Sequence, residues 1–299
     1  MYVTVLGQIA RDLVLQVARI PDKGTAAPVR ERRETLGGKG ANIAVGLAQL
    51  GVPVALLGVV GDDLAGERVL ARAGADGIDT TPVIRRERVT TALIVDLVSD
   101  EGWHYLEDIP DATLLTEGDV EAARPVIGQA DAVVIQLQQP AAAAKRAAAI
   151  ARQGGAKVVL DGVSDDESIL DLADVVRVDH REGELFTGIR ITDEKSGARA
   201  ARELLKRGPG FAAVAVEEIG NVFAWDDQVL TVPHGDEPVV DTTGAGDAFV
   251  AALTRALLRG ESPETAARQA VAAAGVTVGR LGGRPDLGSP DAISGTPSA

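Results

Sequence analysis

The chain has 299 residues, 45% of them hydrophobic and 25% charged, so its length predicts two domains or one large α/β domain with a well-filled core. The net charge of −14 and an aromatic content of 3% argue against a nucleic-acid-binding protein. The chain has no cysteine, which excludes disulfides and thiolate metal sites. Polar residues interrupt positions 1–20, unlike a signal peptide, and no apolar run is long enough to cross a bilayer, so we expect a cytoplasmic protein.

Short β-rich runs alternate with helical patterns along most of the chain. Strands are predicted at 3–6, 54–60, 132–137, 157–161, 175–178 and 211–217. Helices are predicted at 41–50, 64–73, 141–151, 198–205, 247–259 and 263–278. Near-continuous apolar strands between helices are typical of a doubly wound α/β fold, in which helices cover both faces of a mostly parallel sheet.

Two segments, 9–36 and 89–108, interrupt this alternation with paired β patterns around turns. We expect them to form a small antiparallel β lid over a cleft, with an extension of the main sheet as the alternative. The main α/β domain is then expected to comprise three segments, 1–8, 37–88 and 109–288. Residues 289–299 are rich in Ser, Pro and Gly and are expected to form a flexible tail.

The strongest chemical signal is a glycine-dense segment that opens a predicted helix, DTTGAGDAF at 241–249. A glycine loop directs successive amides into one concavity, and the helix N-terminus adds positive charge there. The amides of Gly244, Ala245 and Gly246 are therefore expected to bind phosphate oxygens. Asp247 lies beside them, where a carboxylate would repel a phosphate unless it accepts a proton from an attacking hydroxyl. The alternative is a capping acid at the helix N-terminus.

A second glycine-dense segment, GGKGAN at 37–42, also opens a predicted helix. Its glycines allow a ligand to approach the backbone, and Asn42 can donate and accept hydrogen bonds, as a pair of polyol hydroxyls requires. The alternative is a tight strand-to-helix turn. The sequence contains no P-loop and no nucleophile elbow, its three histidines lack metal-ligand spacing, and each Gly-x-Gly lacks the third glycine of a dinucleotide fingerprint.

The two glycine-dense segments resemble, in sequence and in order, the signatures of the ribokinase-like (PfkB) carbohydrate kinase family. The resemblance implies a ribokinase-like fold and an ATP-dependent kinase that phosphorylates a hydroxyl of a small sugar, with Asp247 as general base. It also implies Mg²⁺, K⁺ as in the cation-activated members, and a homodimer formed through the lid. The alternatives are a nucleoside or pseudouridine kinase, a sugar-phosphate kinase, and a non-catalytic homologue that binds nucleotide or sugar.

The resemblance further implies roles for individual residues. Those expected to line the sugar pocket are Asp12, Gly38, Lys39, Asn42 and Gln138. Those expected to form the anion hole or to contact the nucleotide are Asp179, Gly220, Thr243, Gly244, Ala245 and Gly246. Glu182 is expected to hold Mg²⁺ through water, and Asp241 to hold the monovalent cation.

Several positions depart from the family pattern. Ala10 and Gln138 stand where ribokinases carry an Asn and a Glu that face the sugar, and each lost contact would weaken ribose discrimination by roughly 1–3 kcal/mol. Asp179 replaces the Asn of a magnesium-related N-x-x-E motif. The nucleotide loop at 215–220, AVEEIG, keeps one family glycine and adds two acids. A sugar-phosphate acceptor would need cations, which the lid-region residues Arg11, Arg30, Arg33 and Arg88 could supply.

Overall fold

A computed structural model describes residues 1–235 and 238–288. The expected tail at 289–299 lies outside the described residues. The strands are β1 Val3–Leu6, β2 Ala10–Val17, β3 Val29–Gly37, β4 Val54–Leu57, β5 Val59–Gly61, β6 Ile84–Arg86, β7 Ala92–Ser99, β8 Gly102–Asp108, β9 Ala132–Gln136, β10 Lys157–Asp161, β11 Val175–Val178, β12 Phe211–Val216, β13 Gly220–Trp225 and β14 Gln228–Pro233. The α-helices are α1 Lys39–Gln49, α2 Leu64–Ala75, α3 Glu117–Ala122, α4 Arg124–Gly128, α5 Ala141–Gly154, α6 His180–Thr187, α7 Glu194–Leu205, α8 Ala245–Leu258 and α9 Pro263–Val278.

An eight-stranded sheet forms the centre of the molecule, in the order β14-β13-β12-β11-β10-β9-β1-β4. Its strands are parallel from β4 to β12, and β13 and β14 add an antiparallel edge. Helices α3 to α7 bury one face of the sheet, whereas α1, α2, α8 and α9 bury the other. These layers confirm the predicted doubly wound, mostly parallel α/β fold. No helix in the described ranges is long and apolar enough to cross a membrane.

A separate four-stranded sheet, in the order β3-β2-β7-β8, forms from the two segments predicted as a lid. We call it the lid sheet. Its outer pairings are antiparallel as predicted, but the central pairing of β2 with β7 is parallel, which the sequence analysis did not anticipate. A parallel pair needs a long connection between its strands, and here the chain passes through α1, β4, β5, α2 and β6 between β2 and β7.

The run predicted as one strand at 54–60 forms two strands, and the prediction of a single strand is wrong. β4 stays in the main sheet, while β5 pairs with β6 in a small sheet of its own. The break falls at Gly58, where an added Cβ would lie 2.6 Å from the carbonyl oxygen of Gly7. The close approach of these two backbones bends the chain out of the main sheet.

Candidate active site

The two glycine-dense segments meet at the carboxyl ends of the parallel strands, where open α/β sheets bind ligands. The start of α1 crosses the loop after β1 so closely that an added Cβ on Gly40 would lie 2.6 Å from the carbonyl carbon of Gly7. At the start of α8, Gly244 has a φ of 74°, and an added Cβ would lie 1.7 Å from the carbonyl oxygen of Gly283. Glycine is therefore required at both crossings.

A single hydrogen bond joins the two segments. The Asn42 side-chain amide donates to the Asp247 carboxylate over 3.0 Å, and the two side chains are 3% and 5% exposed. Burial raises the pKa of Asp247 to about 6, partly offset by Lys39 and by this hydrogen bond. Asp247 is therefore mostly ionised at pH 7 and able to accept a proton.

The start of α8 leaves amide groups available to a ligand. In the described residues the amides of Gly244 and Gly246 have no hydrogen-bond acceptor, and the Ala245 amide makes only a 3.4 Å bond to Thr242. Gly244 occupies the N-cap position, and no side chain caps the helix. The capping alternative for Asp247 is therefore not supported, because its carboxylate faces Asn42 instead.

Asp12 lies near Asp247, and one oxygen of its carboxyl group has no hydrogen-bond partner in the described residues. Its carboxyl group packs over Gly37, it is 7% exposed, and its Oδ1 atom has no donor among the described residues. Burial, followed by the negative charges of Asp247 and Asp96, raises its pKa to about 7. The Asn42 carbonyl oxygen likewise has no donor in this part of the structure. Such buried acceptors suit the hydroxyl donors of a polyol.

The structure does not place all the predicted sugar-pocket residues together. Gln138 is exposed beyond the end of β9, whereas Gln136, which the sequence analysis did not select, is fully buried with no hydrogen-bond partner for its side-chain amide in the described residues. Lys39, also predicted to line the sugar pocket, is surrounded by carboxylates. Its ammonium group lies 4.0 Å from Glu182, and Asp161 and Asp247 help to raise its pKa despite burial.

Asp179 and Glu182 form a reciprocal capping box at the start of α6. The Glu182 amide donates to Asp179 over 2.8 Å, and the Asp179 amide donates to Glu182 Oε2 over 2.7 Å. The second oxygen of Glu182 faces Lys39. Burial and the nearby Asp161 raise the pKa of Glu182, so two carboxylates crowd one another here.

A cavity of about 280 Å³ opens beside the N-terminus of α8. Its walls include Gly246, Ala215, Asn221, Thr242, Ala274 and Val278. Gly220 has a packing role, because its φ is 142° and an added Cβ would lie 2.2 Å from the carbonyl oxygen of Val232. Glu217, one of the two unexpected acids, pairs with His180 over 3.1 Å.

The lid sheet contacts the loop that precedes α8. The Tyr105 hydroxyl on β8 contacts the Thr243 hydroxyl, and Asp241 accepts hydrogen bonds from the Thr243 amide and hydroxyl and from the Gly282 amide. Asp96 on β7 lies beside Asp241, is 3% exposed, and finds no hydrogen-bond donor in the described residues. Burial and Asp241 raise the pKa of Asp96 to about 7.

Three of the four lid-region arginines that could serve a sugar phosphate already pair with carboxylates. Arg11 pairs with Glu34 at 2.7 Å and Arg30 with Asp100 at 3.0 Å. Arg33 pairs with Glu31 at 2.6 Å and also donates to the Leu281 carbonyl. Arg88 is exposed. Carboxylates therefore already offset the charge of Arg11, Arg30 and Arg33.

Arg177 is another site residue that the sequence analysis missed. It projects from β11, pairs with Asp161 over 3.1 Å, and lies against the backbone of Gly246 in the wall of the cavity. A charged residue between Val176 and Val178, both fully buried, was a visible signal in the sequence.

Comparison with known proteins gives one consistent match. A family model described as pfkB family carbohydrate kinase matches residues 1–289. A ribokinase of Haemophilus influenzae is 30% identical over 95% of this chain and 94% of its own length, and a ribokinase of Mus musculus is 30% identical over 84% and 80%. The structure of Arabidopsis thaliana ribokinase complexed with ribose and ATP superposes with a TM-score of 0.81 at 24% identity, covering 97% of this chain and 96% of that one.

Proposed function

The chain belongs to the pfkB family of carbohydrate kinases and is a phosphotransferase with an alcohol group as acceptor, and from this premise we propose that Asp247 is its general base and a small unphosphorylated sugar its acceptor. The observation that carries the proposal is the hydrogen bond from Asn42 to Asp247, which joins segments 205 residues apart. This contact supports the proposal because the buried Asp247 carboxylate then adjoins both Asn42, a candidate polyol-binding group, and the uncapped N-terminus of α8.

The proposed reaction uses these groups in sequence. Asp12 and Asn42 orient the acceptor so that one hydroxyl faces Asp247, which takes the proton as the oxygen attacks the γ-phosphorus of ATP. The bond from that phosphorus to the β-phosphate oxygen breaks, and its electron pair leaves with ADP. The amides of Gly244, Ala245 and Gly246 stabilise the negative charge on the transferring group.

Charge favours an unphosphorylated acceptor. Asp12, Asp96 and Asp247 are buried around the proposed pocket, and three of the lid-region arginines already pair with carboxylates. A sugar phosphate would bring further negative charge to this pocket, whereas hydroxyl groups would fill the unpaired oxygens of Asp12 and Asn42. Ribose is the first acceptor to test, because the curated relatives named above are ribokinases.

The proposed donor is ATP with Mg²⁺, bound in the cavity beside α8. The residues present fit a divalent cation, because burial and the nearby Asp161 raise the pKa of Glu182 and one Glu182 oxygen is free of the capping box. Glu182 would hold Mg²⁺ through water, and the ion would neutralise phosphate charge. Because ATP is an intracellular donor, we place the reaction in the cytoplasm.

We also propose activation by a monovalent cation and assembly into a homodimer. Asp96 and Asp241 are buried side by side, an excess of negative charge that K⁺ held by Asp241 would offset. Replacing K⁺ by tetramethylammonium should lower turnover. The outward side chains of the lid sheet include the half-buried Leu13, Leu93 and Val95 and the 59% exposed Leu106, an apolar face that a second copy would cover.

The test is an ADP-release assay on a panel of ribose, deoxyribose, fructose, nucleosides and hexose phosphates. With the best acceptor, Asp247→Asn should lower turnover by at least about 100-fold, a typical size for a lost general base. Asp227→Asn, a neutralisation of an exposed aspartate between β13 and β14, is the matched control and should keep wild-type turnover. Near-wild-type turnover of Asp247→Asn would reject the assignment, and turnover only with hexose phosphates would reject the acceptor class.

A further inference from the structure

Arg177 occupies a position where a purely structural role would favour an apolar side chain. β11 lies inside the parallel sheet between β10 and β12, and Val176 and Val178 are fully buried. The Arg177 side chain is only 14% exposed and pairs across the strands with Asp161 at the carboxyl end of β10. Replacing such a buried ion pair with apolar residues is often neutral or stabilising, so stability alone does not account for it.

The ion pair leaves most of the guanidinium unused. Arginine carries five N–H donors, but within the described residues Arg177 makes one hydrogen bond, from Nη1 to Asp161. Its Nε atom is buried and has no partner in this part of the chain. A buried donor without a partner is costly, which points to a ligand that completes it.

The guanidinium packs against the start of α8. An added Cβ on Gly246 would lie 2.9 Å from Nη2 and 3.0 Å from Nη1 of Arg177, so the guanidinium rests directly against this backbone. Arg177 and Gly246 also line the 280 Å³ cavity. The guanidinium lies over the ring of Phe249, with its Cζ atom 5.9 Å from the ring centre. Free amides and a fixed cation therefore converge on one anion site.

The two cations of the site, Lys39 and Arg177, both lie near Asp161 and Glu182. Of the two, Arg177 lines the cavity proposed for the nucleotide. During transfer, negative charge develops on the oxygen that leaves with ADP, which is on the nucleotide side. A planar fork of donors matches two phosphate oxygens, which a single ammonium group cannot do.

We propose that Arg177 is a catalytic residue of the phosphoryl transfer, and that its guanidinium, oriented by Asp161, donates hydrogen bonds to the γ-phosphoryl group and to the oxygen that leaves with ADP. This inference rests on the kinase function proposed above. Arg177 keeps its protons throughout, because the proton of the acceptor hydroxyl passes to Asp247 and the electron pair of the broken P–O bond stays on ADP.

The test compares Arg177→Met and Arg177→Lys with the wild-type enzyme, and uses Arg181→Met, an exposed arginine on α6, as the matched control. Arg177→Met should lower kcat at least 100-fold with little change in the KM of the acceptor, because stabilisation of the transition state is lost. Arg177→Lys should recover only part of the rate, and Arg181→Met should keep it. Calorimetric affinity for a non-hydrolysable ATP analogue should fall at least tenfold in Arg177→Met, and ADP affinity should fall by a smaller factor, because ADP lacks the γ-phosphoryl contact.

Loss of Arg177 leaves Asp161 buried without a cation, so the single variant could unfold. Asp161→Asn and the double variant Asp161→Asn/Arg177→Met remove this complication, because both have a neutral residue 161. A double variant with kcat within threefold of Asp161→Asn would overturn the inference while leaving the kinase proposal intact. Wild-type protein that turns over no acceptor of the panel would overturn both.

Discussion

Asp12 should destabilise the ligand-free protein at neutral and alkaline pH, and Asp12→Asn should relieve this. Burial and the nearby Asp247 and Asp96 raise the pKa of Asp12 from its ordinary value of 3.8 to about 7. The folded state therefore holds the Asp12 proton more tightly than the unfolded chain does. For a group of this kind, stability is present below the unfolded pKa and is lost as pH rises through the folded pKa.

The size of the effect follows from these two values. Each pKa unit corresponds to about 1.4 kcal/mol, so the separation between 3.8 and about 7 sets a ceiling of roughly 4 kcal/mol above pH 7. Side-chain relaxation and entry of water recover part of this cost, and we expect Asp12→Asn to gain ~2 kcal/mol at pH 8. For a chain of 299 residues, that gain corresponds to roughly 3 °C in Tm.

Thermal unfolding of the ligand-free protein between pH 5 and pH 8 tests this expectation. Asparagine keeps the shape of aspartate and can accept the hydrogen bond of the Gly38 amide, so the advantage of Asp12→Asn should grow with pH and be smallest at pH 5. Asp227→Asn, at an exposed position, should show no such trend. A Tm of Asp12→Asn at or below that of the wild type at pH 8, or a difference independent of pH, would refute the reasoning. Asp12→Asn should also raise the KM of the sugar, because it removes a carboxylate oxygen that accepts hydrogen bonds from the sugar hydroxyls.

Three further outcomes are expected. Asn42→Ala removes a hydrogen bond that lowers the pKa of Asp247. The acid limb of the pH profile of kcat/KM, expected near pH 6 in the wild type, should therefore move to higher pH. An unmoved limb would contradict the proposed pairing of Asn42 with Asp247. Glu182→Gln should raise the Mg²⁺ concentration for half-maximal turnover about tenfold in a titration at fixed ATP, and unchanged Mg²⁺ dependence would remove Glu182 from the metal site. Leu106→Glu on the lid sheet should shift the sedimentation mass from dimer to monomer, while Leu64→Glu, a 60% exposed leucine on α2, should not; a monomeric wild type ends the dimer proposal.

The features predicted correctly from sequence are the ones that depend on local patterns. The bounds of β10, β11 and α9 follow directly from apolar periodicity and from flanking Gly, Pro and Ser residues. The helix starts at GGKGAN and GAGD require glycine because another backbone segment passes close by. These glycines can be recognised directly in the sequence. The short helices α3, α4 and α6 were missed because five to eight residues do not establish a helical period.

The contacts that the sequence did not reveal depend on which strands become neighbours. Asp161 and Arg177 pair because β10 and β11 are adjacent and in register, and neither residue belongs to a recognisable motif. Tyr105 reaches Thr243 only because the lid sheet lies over the loop before α8. Residues 105 and 243 lie on different domains of the predicted division, so no local pattern could have linked them.

The charge balance of the site connects stability with function. Asp12, Asp96, Asp161 and Asp247 are all at most 7% exposed, and Lys39 and Arg177 place positive charge among them. Burial and neighbouring carboxylates raise the pKa values of Asp12, Asp96 and Asp247, so ionisation of these groups is costly in the ligand-free protein. Hydroxyl donors of an acceptor and the metal that accompanies the nucleotide would remove much of that cost on binding. The acidity that weakens the empty protein is thus the same property that would draw a neutral polyol and a cation-bound triphosphate to the α8 N-terminus.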